Sequence, residues 1–269
     1  MRMLVLASLV VAGGANAAEA AVGSLATHRA VYDLKLKDAS QRSGIEGMVG
    51  RMVYEFNGSA CDGYTVSFRF VTEINSGEGS RVTDQQTTTF EDVRRGTFNF
   101  VTRSFVNQTL DKEVRGAAAL KDDALAVELE EPEKQDIEIG KALFPTEHMI
   151  ELINHAKKGE QFYESRIFDG SDGGDEAMIT TTILGEVQKA DTGDTEAKAA
   201  GALADKDFWP VSISYFEDVA EGDGLPVYTI AFKLYENGVT RDLTMDYGDF
   251  VLEGTLAQLD MFEPTDCNE

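Results

Sequence analysis

Residues 64–70 read Tyr-Thr-Val-Ser-Phe-Arg-Phe, with a large apolar side chain at every second position and a polar one between. Successive side chains of a β-strand point to opposite faces, so this run can bury one side and wet the other only as a strand. The same alternation recurs at 27–36, 44–56, 82–90, 96–106, 124–129, 161–168, 177–187, 209–217, 226–236, 239–247 and 249–261. Turn residues separate the runs, among them Asn57-Gly58, Arg95-Gly96 and Asp169-Gly170. Asn237-Gly238 lies between two alternating runs and predicts a hairpin closed by a type I′ turn, whose two central residues both take positive φ.

One segment departs from period two. Residues 146–158 predict a short helix, with Thr146 as its cap, Glu147 near its positive end, lysines near its negative end and Gly159 as its stop. Met149, Ile150, Ile153 and Ala156 give it one apolar stripe to lay on a sheet. A parallel sheet needs a crossover helix at nearly every connection, so one helix among a dozen strands predicts an all-β, antiparallel body. The polar stretches 169–176 and 188–207 read as loops, and strand patterning resumes unchanged after each. Residues 18–269 are therefore expected to form a single domain.

The N-terminus has the layout of an export signal: Arg2, an apolar run from Leu4 to Ala12, then the small-residue site Ala15-Asn16-Ala17. Cleavage is expected after Ala17, with Ala20 of the second small-residue site Ala18-Glu19-Ala20 as the alternative, because the run is well short of the roughly 20 residues that span a bilayer. No later stretch is long and apolar enough to cross one, and no cysteine follows the signal to carry a lipid. The mature protein is expected in the periplasm. An oxidising compartment bears on Cys61 and Cys267, the chain's two cysteines. One intramolecular disulfide is the simplest outcome, with two free thiols or an intermolecular link as the alternatives. A zinc or redox site is disfavoured, since there is no Cys-x-x-Cys and His28, His148 and His155 are scattered.

The formal net charge of −24 repels phosphate backbones and excludes nucleic acid as a partner. Recognisable catalytic patterns are absent: there is no Gly-x-Ser-x-Gly elbow, no His-Glu-x-x-His and no phosphate-binding glycine loop. The carboxylates of 169–176 lack the order and the distal glutamate of a calcium loop. No metal, no cofactor and no catalytic residue is expected. His28 shares a strand face with Ala30, Tyr32 and Leu34, which favours a partly buried, hydrogen-bonded imidazole. Trp209 precedes Pro210 at the start of a strand and reads as a core or rim anchor. Trp209, His28 and Tyr32 are thus the candidate binding or packing anchors.

The motifs Thr27-His28-Arg29-Ala30-Val31-Tyr32-Asp33-Leu34, Cys61-Asp62-Gly63-Tyr64 and Trp209-Pro210-Val211-Ser212-Ile213-Ser214-Tyr215-Phe216, followed by Cys267, occur in that order. Together they resemble the envelope integrity protein B (EipB) family of alphaproteobacteria. The resemblance implies a periplasmic protein folded as a spiral of many antiparallel strands, with Cys61 bonded to Cys267. It also implies a non-enzymatic role in maintaining the cell envelope under stress. Two readings of that role follow. The protein binds another envelope protein or component, or it carries or senses a lipid or other apolar ligand in a concave β-sheet lined from the chain's 15 Phe.

Overall fold

Nearly every alternating run pairs with its neighbour in sequence. In the computed structural model, which describes residues 25–190, 193–218, 224–263 and 267, the chain first lays down eight strands. They are β1 (His28–Ala39), β2 (Ile45–Ser59), β3 (Gly63–Ser76), β4 (Gly79–Asp92), β5 (Thr97–Val106), β6 (Thr109–Lys121), β7 (Ala124–Glu131) and β8 (Gln135–Gly140). Helix α1 (Pro145–Lys157) follows. Six more strands complete the chain: β9 (Phe162–Ile167), β10 (Met178–Leu184), β11 (Trp209–Glu217), β12 (Tyr228–Leu234), β13 (Thr240–Asp246) and β14 (Phe250–Met261). All fourteen form one antiparallel sheet in the order β8-β7-β6-β5-β4-β3-β2-β1-β14-β13-β12-β11-β10-β9. The all-β, antiparallel expectation holds. The expected signal peptide, residues 1–17, lies outside the described residues.

The order places β1 beside β14 at mid-sheet, with β8 and β9 as the outer strands. The sheet curls on itself: Tyr54 of β2 and Phe68 of β3 line the same hollow as Ile213 of β11 and Phe232 of β12. No flat sheet could bring those strands together. β8 and β9 do not pair. The segment after β8 clips instead to the end of β9, through Leu143 N–H to the Arg166 carbonyl (2.8 Å) and Phe168 N–H to the Leu143 carbonyl (2.9 Å). The result is a spiral, rolled like a barrel and closed by a side-on clip.

Two cores result. The larger gathers Ala30, Tyr32 and Leu34 of β1, Met52 and Phe56 of β2, Leu152 and Ile153 of α1, and the inward residues of β11–β14. The second fills the curl of β5–β7, where Phe98 stacks on Phe144 at 5.1 Å and Phe168 meets Phe100 edge-on at 5.6 Å. The stretch 169–176, expected to be a solvated loop, lies over this second core. Gly170 (φ 71°) is pressed so closely on the Phe100 ring that a Cβ would collide with it, and Gly174 packs on Leu129, Phe100 and Val114.

The stretch 188–207 is likewise more than a loop. It contains a single-turn helix, α2 (Ala197–Ala200), and buries Glu196. Arg241, fully buried in β13, pairs with Asp194 at 2.5 Å and Glu196 at 3.3 Å and donates from Nε to the Tyr235 hydroxyl at 2.6 Å. The hairpin between β12 and β13 forms, but not with a type I′ turn. Gly238 N–H donates to the Tyr235 carbonyl, only Gly238 takes positive φ (85°), and Asn237 accepts from Val239 N–H through its side chain. Type I′ geometry occurs instead at Asn107-Gln108, with φ of 48° and 68°, between the paired residues Val106 and Thr109.

The disulfide joins Cys61 to Cys267 across 206 positions of sequence, with Cα atoms 5.7 Å apart. Cys61 lies in the β2–β3 turn, where Ser59 Oγ accepts from the N–H groups of Cys61 and Asp62. The bond therefore pins the chain's end to the early sheet.

Candidate functional site

The inner face of the curl is apolar because each contributing strand turns every second residue toward it. α1 crosses this face, and its inner side completes the enclosure. The expected stripe of Met149, Ile150, Ile153 and Ala156 is wider in the structure: Leu152 and Ile153 are buried, and His148 joins them one turn earlier. Between helix and sheet lies a cavity of about 310 Å³. Met52, Phe68, Met149, Leu152 and Ile213 are among its apolar walls, and its polar groups include His28, Tyr32, His148 and Asp169 together with Tyr54, Tyr215 and Asn237. Neither lysine nor arginine lines it.

The helix is held in place by a residue far away in sequence. Thr146 is not its cap; the cap position is Phe144, with Pro145 in the first turn. The first free N–H groups are met by the buried carboxylate of Glu91 at the end of β4, which accepts from Thr146 N–H at 2.7 Å and from Glu147 N–H at 2.9 Å. Burial outweighs these bonds and pushes the Glu91 carboxyl up to about 7. At the far end Gly159 (φ 73°) terminates the helix as expected.

The two cavity histidines are neutral groups. His28 Nδ1 lies 2.8 Å from the Ala26 carbonyl, which can only accept, so Nδ1 carries the proton and Nε2 is left as an acceptor. Burial lowers the pKa of His28 against that hydrogen bond. Burial alone pushes His148 down to about 4, and its Nε2 is enclosed with no hydrogen-bond partner. Tyr32 is satisfied: its hydroxyl donates to the Thr240 carbonyl at 2.6 Å.

Of the three candidate anchors, the structure brings His28 and Tyr32 together on the cavity wall and leaves Trp209 elsewhere. Trp209 is half-buried, packs at the edge of the larger core and lines a separate surface cleft of about 620 Å³ with Lys157, Glu160 and Glu186. Sequence reasoning missed His148 and Glu91 as site residues. His148 could have been found by adding Leu152 to the helical stripe and stepping back four positions. Glu91 carried no local signal. Among the described residues no cluster of three or more His, Cys, Asp or Glu could hold a metal, and no helix is long and apolar enough to cross a membrane.

Comparison with known proteins places this geometry in a family. The profile of the EipB-like family matches residues 19–263. The chain is 50% identical over 253 residues to the cell envelope integrity protein EipB of Brucella abortus, covering 94% of this chain and 89% of that one. It also superposes on the crystal structure of a β-barrel-like protein of a domain of unknown function from Brucella abortus. That match has a TM-score of 0.84 and 49% identity, and covers 89% of this chain and 99% of the other. Matched along nearly its whole length, the chain belongs to the EipB-like family.

Proposed function

We propose that this protein is exported by a signal peptide cleaved after Ala17, works in the periplasm as one domain of residues 18–269, and maintains cell-envelope integrity under stress by binding rather than by catalysis. The observation that carries this reading is its 50% identity, over 94% of the chain, to a relative named for cell envelope integrity. The disulfide between Cys61 and Cys267 suits an oxidising compartment. Deleting the gene should sensitise cells to detergents and to cell-wall antibiotics, and the exported protein should restore resistance. Rescue by a form lacking residues 2–17, confined to the cytoplasm, would contradict the reading.

What it binds has two readings, an envelope protein or an apolar small molecule. A cavity of about 310 Å³, within the size range of small-molecule sites and lined largely by apolar side chains, favours the second. In this reading the rolled sheet is a carrier or sensor that shelters a lipid-like ligand from water.

A further inference from the structure

The polar groups of the cavity restrict which apolar ligand it can hold, provided that the small-ligand reading is right. An anionic head would enter a low-dielectric space with no lysine or arginine to pair with and with the Asp169 carboxylate in the wall. Burial above all raises the pKa values of the Tyr54 and Tyr32 phenols, and the carboxyl groups of Glu91 behind Tyr54 and Glu196 behind Tyr32 add to it in a minor way. A cationic head would find Asp169, but one Asp169 oxygen already accepts the Ser171 N–H at 2.8 Å, and both lining histidines are neutral acceptors at best. An unsubstituted hydrocarbon would leave His148 Nε2 unpaired.

An enclosed polar atom with no partner is uncommon in a folded protein and calls for a partner that the chain itself does not supply. His148 is 4% exposed and its Nε2 meets no donor or acceptor; Tyr163 Oη and Thr182 Oγ1 are also buried without a partner, but of these three residues only His148 lines the cavity. We propose that the cavity takes an uncharged, single-chain amphiphile bearing a hydroxyl group, a fatty alcohol or a monoacylglycerol, whose hydroxyl hydrogen-bonds His148 Nε2 while the chain lies along Met52, Phe68, Leu152 and Ile213. A hydroxyl can donate or accept, so it suits either tautomer of His148 and also the bare Nε2 of His28. The cavity volume of about 310 Å³ lies at the small end of small-molecule sites and suits one medium chain.

The test is calorimetric titration of the delipidated mature protein with 1-decanol, sodium decanoate and decyltrimethylammonium. Binding of 1-decanol about tenfold tighter than either ion is the expected result. His148→Phe should weaken 1-decanol about tenfold and raise the melting temperature, because it removes an unpaired buried polar atom. His148→Gln, which keeps a polar atom near the same place, should retain most of the preference. Equal affinities for the three compounds, tightest binding of an ion, or full 1-decanol affinity in His148→Phe would overturn the hydroxyl assignment and leave the small-ligand reading standing. No binding of any of the three would remove that reading as well. The wild-type comparison decides the matter even if a variant fails to fold.

Discussion

At the scale of single residues, Glu91 and His148 face one another's consequences through the first turn of α1. Each is buried in the neutral-favouring sense: Glu91 rises from 4.5 to about 7, and His148 falls from 6.5 to about 4. Their linkage to stability has opposite signs. The raised carboxyl contributes stability that is full below about pH 4.5 and lost as pH rises through 7. The depressed imidazole contributes stability that is full above about pH 6.5 and lost as pH falls through 4. Each effect amounts to at most about 3 kcal/mol, so across pH 4.5–6.5 they largely offset each other. Urea denaturation across this window should therefore separate the variants. Relative to wild type, Glu91→Gln should lose stability on acidification and His148→Phe should gain it. Curves for both variants that run parallel to wild type would contradict these assignments.

At the scale of elements, what was legible in the sequence was what local patterning encodes. Tyr64, Val66, Phe68 and Phe70 announce β3 because their inward positions are large. β6 carries no such signal: its inward positions include the small residues Gly116 and Ala118, and a Cβ at Gly116 would collide with the Glu128 carbonyl and the Phe100 ring. β8 was missed as well, being short and at the sheet's edge. The stop of α1 is readable at Gly159, a local conformational requirement, and its start to within one residue, whereas its cap is not, because the carboxylate that meets its first N–H donors comes from Glu91, 55 residues before Thr146. The turn at Asn237-Gly238 shows the same limit. The dipeptide specified a hairpin, but only Gly238 adopts positive φ, and the Asn237 side chain bonds to Val239 N–H instead. Of the candidate site, the strand face of His28 and Tyr32 was visible. The cavity was not, because it exists only where β2, β3, α1 and β11–β13 converge.

At the level of the whole molecule, the first and last strands, β1 and β14, meet at mid-sheet, and the Cys61–Cys267 bond joins Cys267 to the β2–β3 turn. Its loop is so long that the chain-entropy account gives about 5 kcal/mol as an upper figure. Reduction, or replacement of both cysteines by serine, should lower the unfolding free energy by about 2–5 kcal/mol in urea titration. Unchanged midpoints would mean that the bond does not constrain the roll. The apolar ligand proposed for the roll can be sought directly by native mass spectrometry. Wild-type protein released from the periplasm should carry an adduct with the mass of an uncharged single-chain lipid. Met149→Trp, folded by circular dichroism but with the cavity filled, should fly bare. Bare polypeptide for both proteins, before and after incubation with 1-decanol, would contradict the account.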